Sequence, residues 1–284
     1  MLLLAGSVPI DTLPLLIGPI EVTADGITID NHTLPINRGN EAMMTAAGLI
    51  CREYGIQPPQ GLVAGDIGTR KGSEAIYRFL AQQLPELGAD ILTLHYVMPD
   101  LKLNKKVLAT VDSMAEKPLL IADAGSMYVA KAGGDAHYYE VFTPDLGETA
   151  FLADDKADHP SFTRGFIFHL ESDVPELIRR AYGAGNAART MFVKGETDYI
   201  CHQGEIVETI SDPSVETMEP IGGTGDLITG MISGLIATGM SPQKACITAG
   251  KVNRLAGKLC RPTPATQVDE ILRFLPQALH RVLS

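Results

Sequence analysis

Short continuous apolar runs alternate along this chain with stretches whose apolar residues fall three or four apart. The runs are Met1–Ser7, Gly61–Gly65, Ile91–Val97, Pro118–Asp123, Tyr139–Thr143 and Thr190–Lys194. Runs without polar alternation are the pattern of strands buried on both faces. Between them the spacing predicts a helix over Asn40–Tyr54, carried by Met43, Met44, Ala47, Leu49 and Ile50. It predicts others after Ser73 (Ala75, Ile76, Phe79, Leu80, Leu84), around Val107–Met114, near Glu148–Leu152 and across Val174–Tyr182, the last capped by Ser172 or Asp173. Beyond that the pattern is helical over Asp226–Thr238, Pro242–Leu259 and Val268–Val282.

Two segments alternate apolar and polar residues instead. Ile20–Asp30 turns at Asp25-Gly26, and Tyr199–Cys201 faces Glu205–Val207 across Gln203-Gly204, so both read as hairpins. Buried strands alternating with helices predict a mostly parallel sheet covered on both faces. No repeat, low-complexity run or linker interrupts it. Residues 1–284 therefore read as a single three-layer α/β/α domain with a small β-hairpin addition near the N-terminus. Ligands of such sheets sit outside the carboxyl ends of the strands. Gly65-Asp66, Asp123, Thr143-Pro144-Asp145 and Lys194-Gly195 all fall there.

Composition narrows the function more than the fold. A net charge of −11 argues against a nucleic-acid or anionic-membrane surface, so an anionic ligand needs local donors. The four cysteines are scattered without a C-x-x-C pair, and the seven histidines show no metal-ligand spacing. These features predict reduced thiols, no structural metal and a cytoplasmic protein. Met1–Ser7 lacks a basic flank and breaks at Gly6, so it reads as a first strand rather than a leader.

Gly222-Gly223-Thr224-Gly225-Asp226 carries the most chemistry. Three glycines and a threonine run straight into an apolar helix, whose first N–H groups and dipole attract an anion. Asp226 either caps that helix or handles a proton beside a bound anion. Lys194, ending a buried strand, either meets a phosphate or is solvated at a turn. Asp145 and Glu148 either cap a helix or lie near a polar ligand or Mg²⁺, and Asp123 either holds substrate or closes its strand. Asn253 and Arg254 either approach a base or lie at the surface, where Arg254 is the better fit. Gly230, Ser233, Gly234 and Ala237 are expected to seat their helix against the sheet. The loop from Gly65 through Gly68 to Ser73 lacks the order of a phosphate-binding Walker loop and reads as a substrate-side loop or a connection.

Together, Thr143-Pro144-Asp145-x-Gly147-Glu148, Val193-Lys194-Gly195 and Gly222–Asp226 with the helices that follow resemble the ribokinase-like superfamily. Order and spacing are most similar to the ADP-dependent NAD(P)H-hydrate dehydratases, over about Gly61–Leu283 and most specifically over Thr190–Gly257. By that resemblance Lys194, Gly195, Glu196, Thr197, Asp198 and Gly225 contact nucleotide, with Asp226 at the hydrated nicotinamide. Gly65 or Gly68 and Asp145 would line the substrate side. The dehydratases usually carry His after Thr-Pro, where this chain has Asp145; kinases of the superfamily often carry Asn or Asp. The resemblance implies ADP or ATP with Mg²⁺ and a small-molecule substrate, and leaves a homo-oligomer open. It also leaves a small-alcohol kinase or a non-catalytic nucleotide-binding regulator as alternatives, though a sensor needs the amides and not the carboxylate of Asp226.

Overall fold

The computed structural model describes residues 1–24, 26–157 and 173–284, so the hairpin tip at Asp25 and the alternative cap Ser172 lie outside the described residues. Its centre is a nine-stranded sheet. β1 (Leu2–Val8) pairs in parallel with β6 (Gln60–Gly65) and β7 (Ile91–His95). Then β8 (Leu119–Ala122), β9 (Tyr139–Phe142) and β10 (Thr190–Val193) extend the parallel array outward from β7. β2 (Leu16–Pro19) closes one edge antiparallel to β6. The hairpin of β11 (Asp198–His202) and β12 (Glu205–Ile210) closes the other. Its turn puts Gln203 and Gly204 at φ 51° and 90°, as a two-residue hairpin turn requires. β3 (Glu21–Val22), β4 (Ile27–Ile29) and β5 (His32–Leu34) form a separate antiparallel sheet.

The central strands are apolar throughout because alternate residues feed two different cores. Leu2 and Leu4 face one, Leu3 and Ala5 the other; Ile121 and Phe192 likewise oppose their neighbours Leu120, Ala122, Met191 and Val193. Burying each such large side chain stabilises the fold by ~1.5–3 kcal/mol. The first core is covered by α1 (Asn40–Glu53), α7 (Thr224–Ala237), α8 (Pro242–Cys260), α9 (Val268–Leu272) and α10 (Leu275–Leu283). The second lies under α2 (Lys71–Leu87), α3 (Leu101–Ser113), α4 (Gly125–Gly133), α5 (Leu146–Ala153) and α6 (Val174–Gly183). Asp173 caps α6 through Glu176 N–H. Among the described residues no helix is long and apolar enough to cross a membrane.

Three local expectations are corrected. The helix expected over Val268–Val282 is two, because Pro276 lacks the N–H that a continuous ladder needs and instead sits in the first turn of α10. β2 and α4 were not expected at all; glycines at both ends of α4 dilute its period. The small residues of α7 seat it on a helix rather than on the sheet. A Cβ on Gly230 would stand 2.0 Å from Met43 O of α1, and one on Gly234 would stand 2.9 Å from Ile50 Cβ. Ser233 alone of these bonds the sheet, its Oγ 2.8 Å from Thr93 Oγ1. The close parallel approach of α1 and α7 brings their N-termini together at the carboxyl edge of the sheet.

Candidate active site

Four strand ends and two helix entries converge on one buried string of charges. Gly39, at the entry to α1, donates its N–H to Asp226 Oδ2 at 2.6 Å. Asp226 Oδ1 lies 2.8 Å from Nε2 of His95, the last residue of β7. His95 Nδ1 stands 3.7 Å from Oδ2 of Asp123, the residue just past β8. Lys194, just past β10, places Nζ 3.1 and 3.2 Å from the two Asp123 oxygens. Thr229 Oγ1 donates to Asp123 Oδ2 at 2.6 Å, and Ala124 N–H donates to Oδ1 at 2.8 Å. Thr143, past β9, joins through its hydroxyl, 2.8 Å from that of Thr229. Gly6 makes room for this: a Cβ there would lie 2.1 Å from His95 O and 2.2 Å from Asn40 Oδ1.

Burial would raise the Asp123 carboxyl, yet Lys194, His95 and the Thr229 hydrogen bond outweigh it and hold it below the ordinary carboxylate range. Burial would likewise lower Lys194 and His95, but Asp123 with Glu148 and Asp226 raises the first, and Asp123 with Asp226 raises the second. Glu41, buried in the first turn of α1, is pushed up to about 7 by burial, with Asp226 adding to the shift. Glu148 is also pushed to about 7 by desolvation, against the pull of Lys194. His95, Asp123 and Asp226 offer atoms within 4.8 Å of one another, a spacing that suits a metal ion. The Lys194 ammonium already supplies the cation there, so the trio reads as a charge network.

The anion-binding features lie beside this string. α7 begins without any side-chain cap, and Gly223 enters it at φ 103°, a left-handed conformation suited to glycine. Thr224 turns its hydroxyl back to Ile221 O, away from the helix amides. A Cβ on Gly225 would meet Lys194 Cδ at 3.3 Å, and one on Gly222 would meet Arg38 Cδ at 3.4 Å. Uncapped amides, bare backbone and an adjacent ammonium form the donor set that a phosphate requires. Asp226, inside the first turn, is not a cap: its oxygens go to Gly39 and His95.

The other residues singled out from sequence divide. Asp145 is the N-cap of α5 in a reciprocal box with Glu148, and Glu148 also accepts from the Tyr128 hydroxyl at 2.7 Å. Asp145 also bridges Lys194 in a short parallel backbone pairing, so this cap sits against the string. Asn253 is buried on α8 with Oδ1 unpartnered. Gly195 and Glu196 are exposed in the loop after β10. Asp198 shapes that loop from beneath, its carboxylate accepting from Arg254 Nε at 2.7 Å and Gly195 N at 3.1 Å. Arg254 is not at the surface either, since it is buried and donates also to the carbonyls of Ser211, Gly195 and Glu196. Gly65 has a packing reason, for a Cβ would stand 1.9 Å from Ile10 O. Gly68 lies in an exposed loop where Asp66 accepts from the N–H groups of Gly68, Arg70 and Ser73.

Sequence reasoning missed His95, Gly39, Glu41 and Thr229. The one signal for His95 was an imidazole closing an otherwise apolar strand.

The sheet order and its layers of helices are those of the ribokinase-like, carbohydrate-kinase fold. Solved structures agree on that fold. ADP/ATP-dependent NAD(P)H-hydrate dehydratase from Bacillus subtilis, co-crystallised with ATP/Mg²⁺, superposes with a TM-score of 0.59 at 17% identity, covering 99% of this chain and 88% of that one. Phosphofructokinase-2 from Escherichia coli in complex with fructose-6-phosphate gives 0.56 at 13%, covering 98% of each. Within that fold the chain belongs to the carbohydrate-kinase family described as NAD(P)H-hydrate dehydratase, whose family model matches residues 99–276. An uncharacterized protein of Methanocaldococcus jannaschii, MJ1337, is 40% identical over 223 residues, covering 78% of this chain and 91% of that protein.

Proposed function

We propose that this protein carries out the ADP- or ATP-dependent dehydration of hydrated NAD(P)H. The observation that carries the reading is the family match over residues 99–276, a span that includes Asp123, Lys194, the Gly222–Gly225 turn and Asp226. The Gly223–Gly225 amides and Lys194 hold the phosphate, and Asn253 faces the base. Asp145 and Glu148 are the carboxyl groups that would hold Mg²⁺, which would offset the charge of the nucleotide phosphates. When bound, the nucleotide supplies the phosphoryl group that makes the nicotinamide hydroxyl a leaving group. Asp226 takes the proton from that hydroxyl, held in orientation by Gly39, while the amides stabilise charge on the transferring group; phosphate then leaves with the C–O bond as the ring gives up a proton, which forms the double bond of NAD(P)H.

One observation favours a second reading. Asp145 stands where the dehydratases usually carry His, and ionised Asp only accepts hydrogen bonds, whereas His also donates. A kinase acting on a small alcohol would use the same string of residues. Hydrated NADH incubated with ADP or ATP and Mg²⁺ separates them by return of the reduced-nicotinamide absorbance. Stoichiometric ATP consumption with only hydroxymethyl-pyrimidine, thiazole or sugar alcohols would establish the kinase.

A further inference from the structure

His95 has no part in the reaction as described, yet it is fully enclosed at the end of β7 between two carboxylates. Nε2 lies 2.8 Å from Asp226, and Nδ1 faces Asp123 at 3.7 Å without a hydrogen-bond partner. A neutral imidazole has one bare nitrogen, and either choice would point a lone pair at a carboxylate oxygen. Protonated at both nitrogens, the ring is attracted on both sides.

The charges around it agree. From β8 comes Asp123, from α7 Asp226, from β10 Lys194 and from α1 Glu41, with the Tyr96 ring 4.1 Å away on its own strand end. Asp123, Asp226 and Lys194 leave one negative charge, which an imidazolium cancels, and Glu41, pushed up to about 7, adds to the negative side as it ionises. Burial works against that charge, but the two aspartates prevail and His95 is raised above its ordinary value.

We propose that His95 is a positioning residue that clamps Asp226 against Gly39 and links it through Asp123 to Lys194, making the phosphate-side cation and the proton-handling carboxylate one unit. The role of Asp226 here rests on the proposed reaction; the link itself does not. A phosphate that draws Lys194 from Asp123 changes the charge that faces His95 Nδ1, so nucleotide binding is felt at the ring that holds Asp226.

Two measurements test this. Nitrogen-resolved NMR of the imidazole in the nucleotide-free protein needs no turnover. His95 is expected doubly protonated at pH 7, losing that state at lower pH in Asp123→Asn, and its resonances are expected to move on adding ADP. A neutral His95 at pH 7, or resonances unmoved by saturating ADP, overturns the proposal. His95→Gln keeps a donor toward Asp226 without the charge. With whichever substrate the wild type turns over, kcat is expected to fall at least about tenfold. The basic limb that loss of the His95 charge gives the wild-type pH profile should vanish in the variant, while the KM for nucleotide stays within about twofold. A lower kcat with an unmoved pH profile would mean a merely structural histidine.

Discussion

Replacing Lys194 with methionine keeps the length of the side chain and removes the ammonium that faces Asp123 at 3.1 Å. Breaking one partner from a buried ion pair costs about 3–5 kcal/mol when nothing else compensates. Here Asp123 keeps the Thr229 hydroxyl, the Ala124 amide and His95, and Lys194 is 16% exposed, so the buried carboxylate is not orphaned. We expect a loss of about 2–3 kcal/mol in urea unfolding at neutral pH. The pH dependence carries the sign. The folded value of Asp123 lies below its ordinary 3.8, so its contribution is present above that value and is lost as pH falls through the folded one. Without Lys194 the folded value rises, and acid destabilisation should begin at higher pH than in the wild type. Nucleotide affinity should fall at least about tenfold, ~1.4 kcal/mol. A variant within about 0.5 kcal/mol of wild type, with an unchanged acid limb and unchanged affinity, would refute the account of the buried string.

Gly225→Val puts a branched side chain against Lys194 Cδ and over the amides, and calorimetric titration should show ADP and ATP binding at least about tenfold weaker. Gly230→Ala should destabilise by about 1–3 kcal/mol because its Cβ meets the Met43 carbonyl of α1. Gly183→Ala, with nothing within 4 Å, should be neutral or stabilising; equal unfolding midpoints for the two would contradict the α1–α7 packing. Glu41 titrates near 7 in the fold against an ordinary 4.5, so the wild type loses stability as pH rises through that window. Glu41→Gln should remove this loss and be more stable at pH 8 by on the order of 2 kcal/mol; an unaltered stability–pH slope would count against it.

The layered fold and the carboxyl edge of its sheet were legible because parallel strands buried on both faces carry unbroken apolar runs that stop at polar residues. Asp123, Thr143 and Lys194 each mark such a stop, which is why all three were singled out. What each touches was not legible. Asp123 meets Lys194 across 71 positions, and Arg254 meets Asp198 across 56, distances at which no local period exists. His95 looked like part of a strand because its partners lie on β8 and α7. The glycines of α7 showed only that something comes close; the sequence did not say it was α1. Asp145 was read with both alternatives open, and the reciprocal box with Glu148 supplies the capping one while its backbone stays paired with Lys194.

The central claim is that Asp226, beside the uncapped entry of α7, handles a proton in a nucleotide-dependent dehydration. The direct measurement follows reduced-nicotinamide absorbance as hydrated NADH is incubated with Mg²⁺ and ADP or ATP, using wild type and Asp226→Asn. The account predicts restoration by the wild type only when nucleotide is present. In Asp226→Asn the rate should drop by ~10²–10⁴-fold, with circular dichroism and nucleotide affinity retained. Restoration without nucleotide, or a folded Asp226→Asn enzyme within about threefold of wild type, would contradict it.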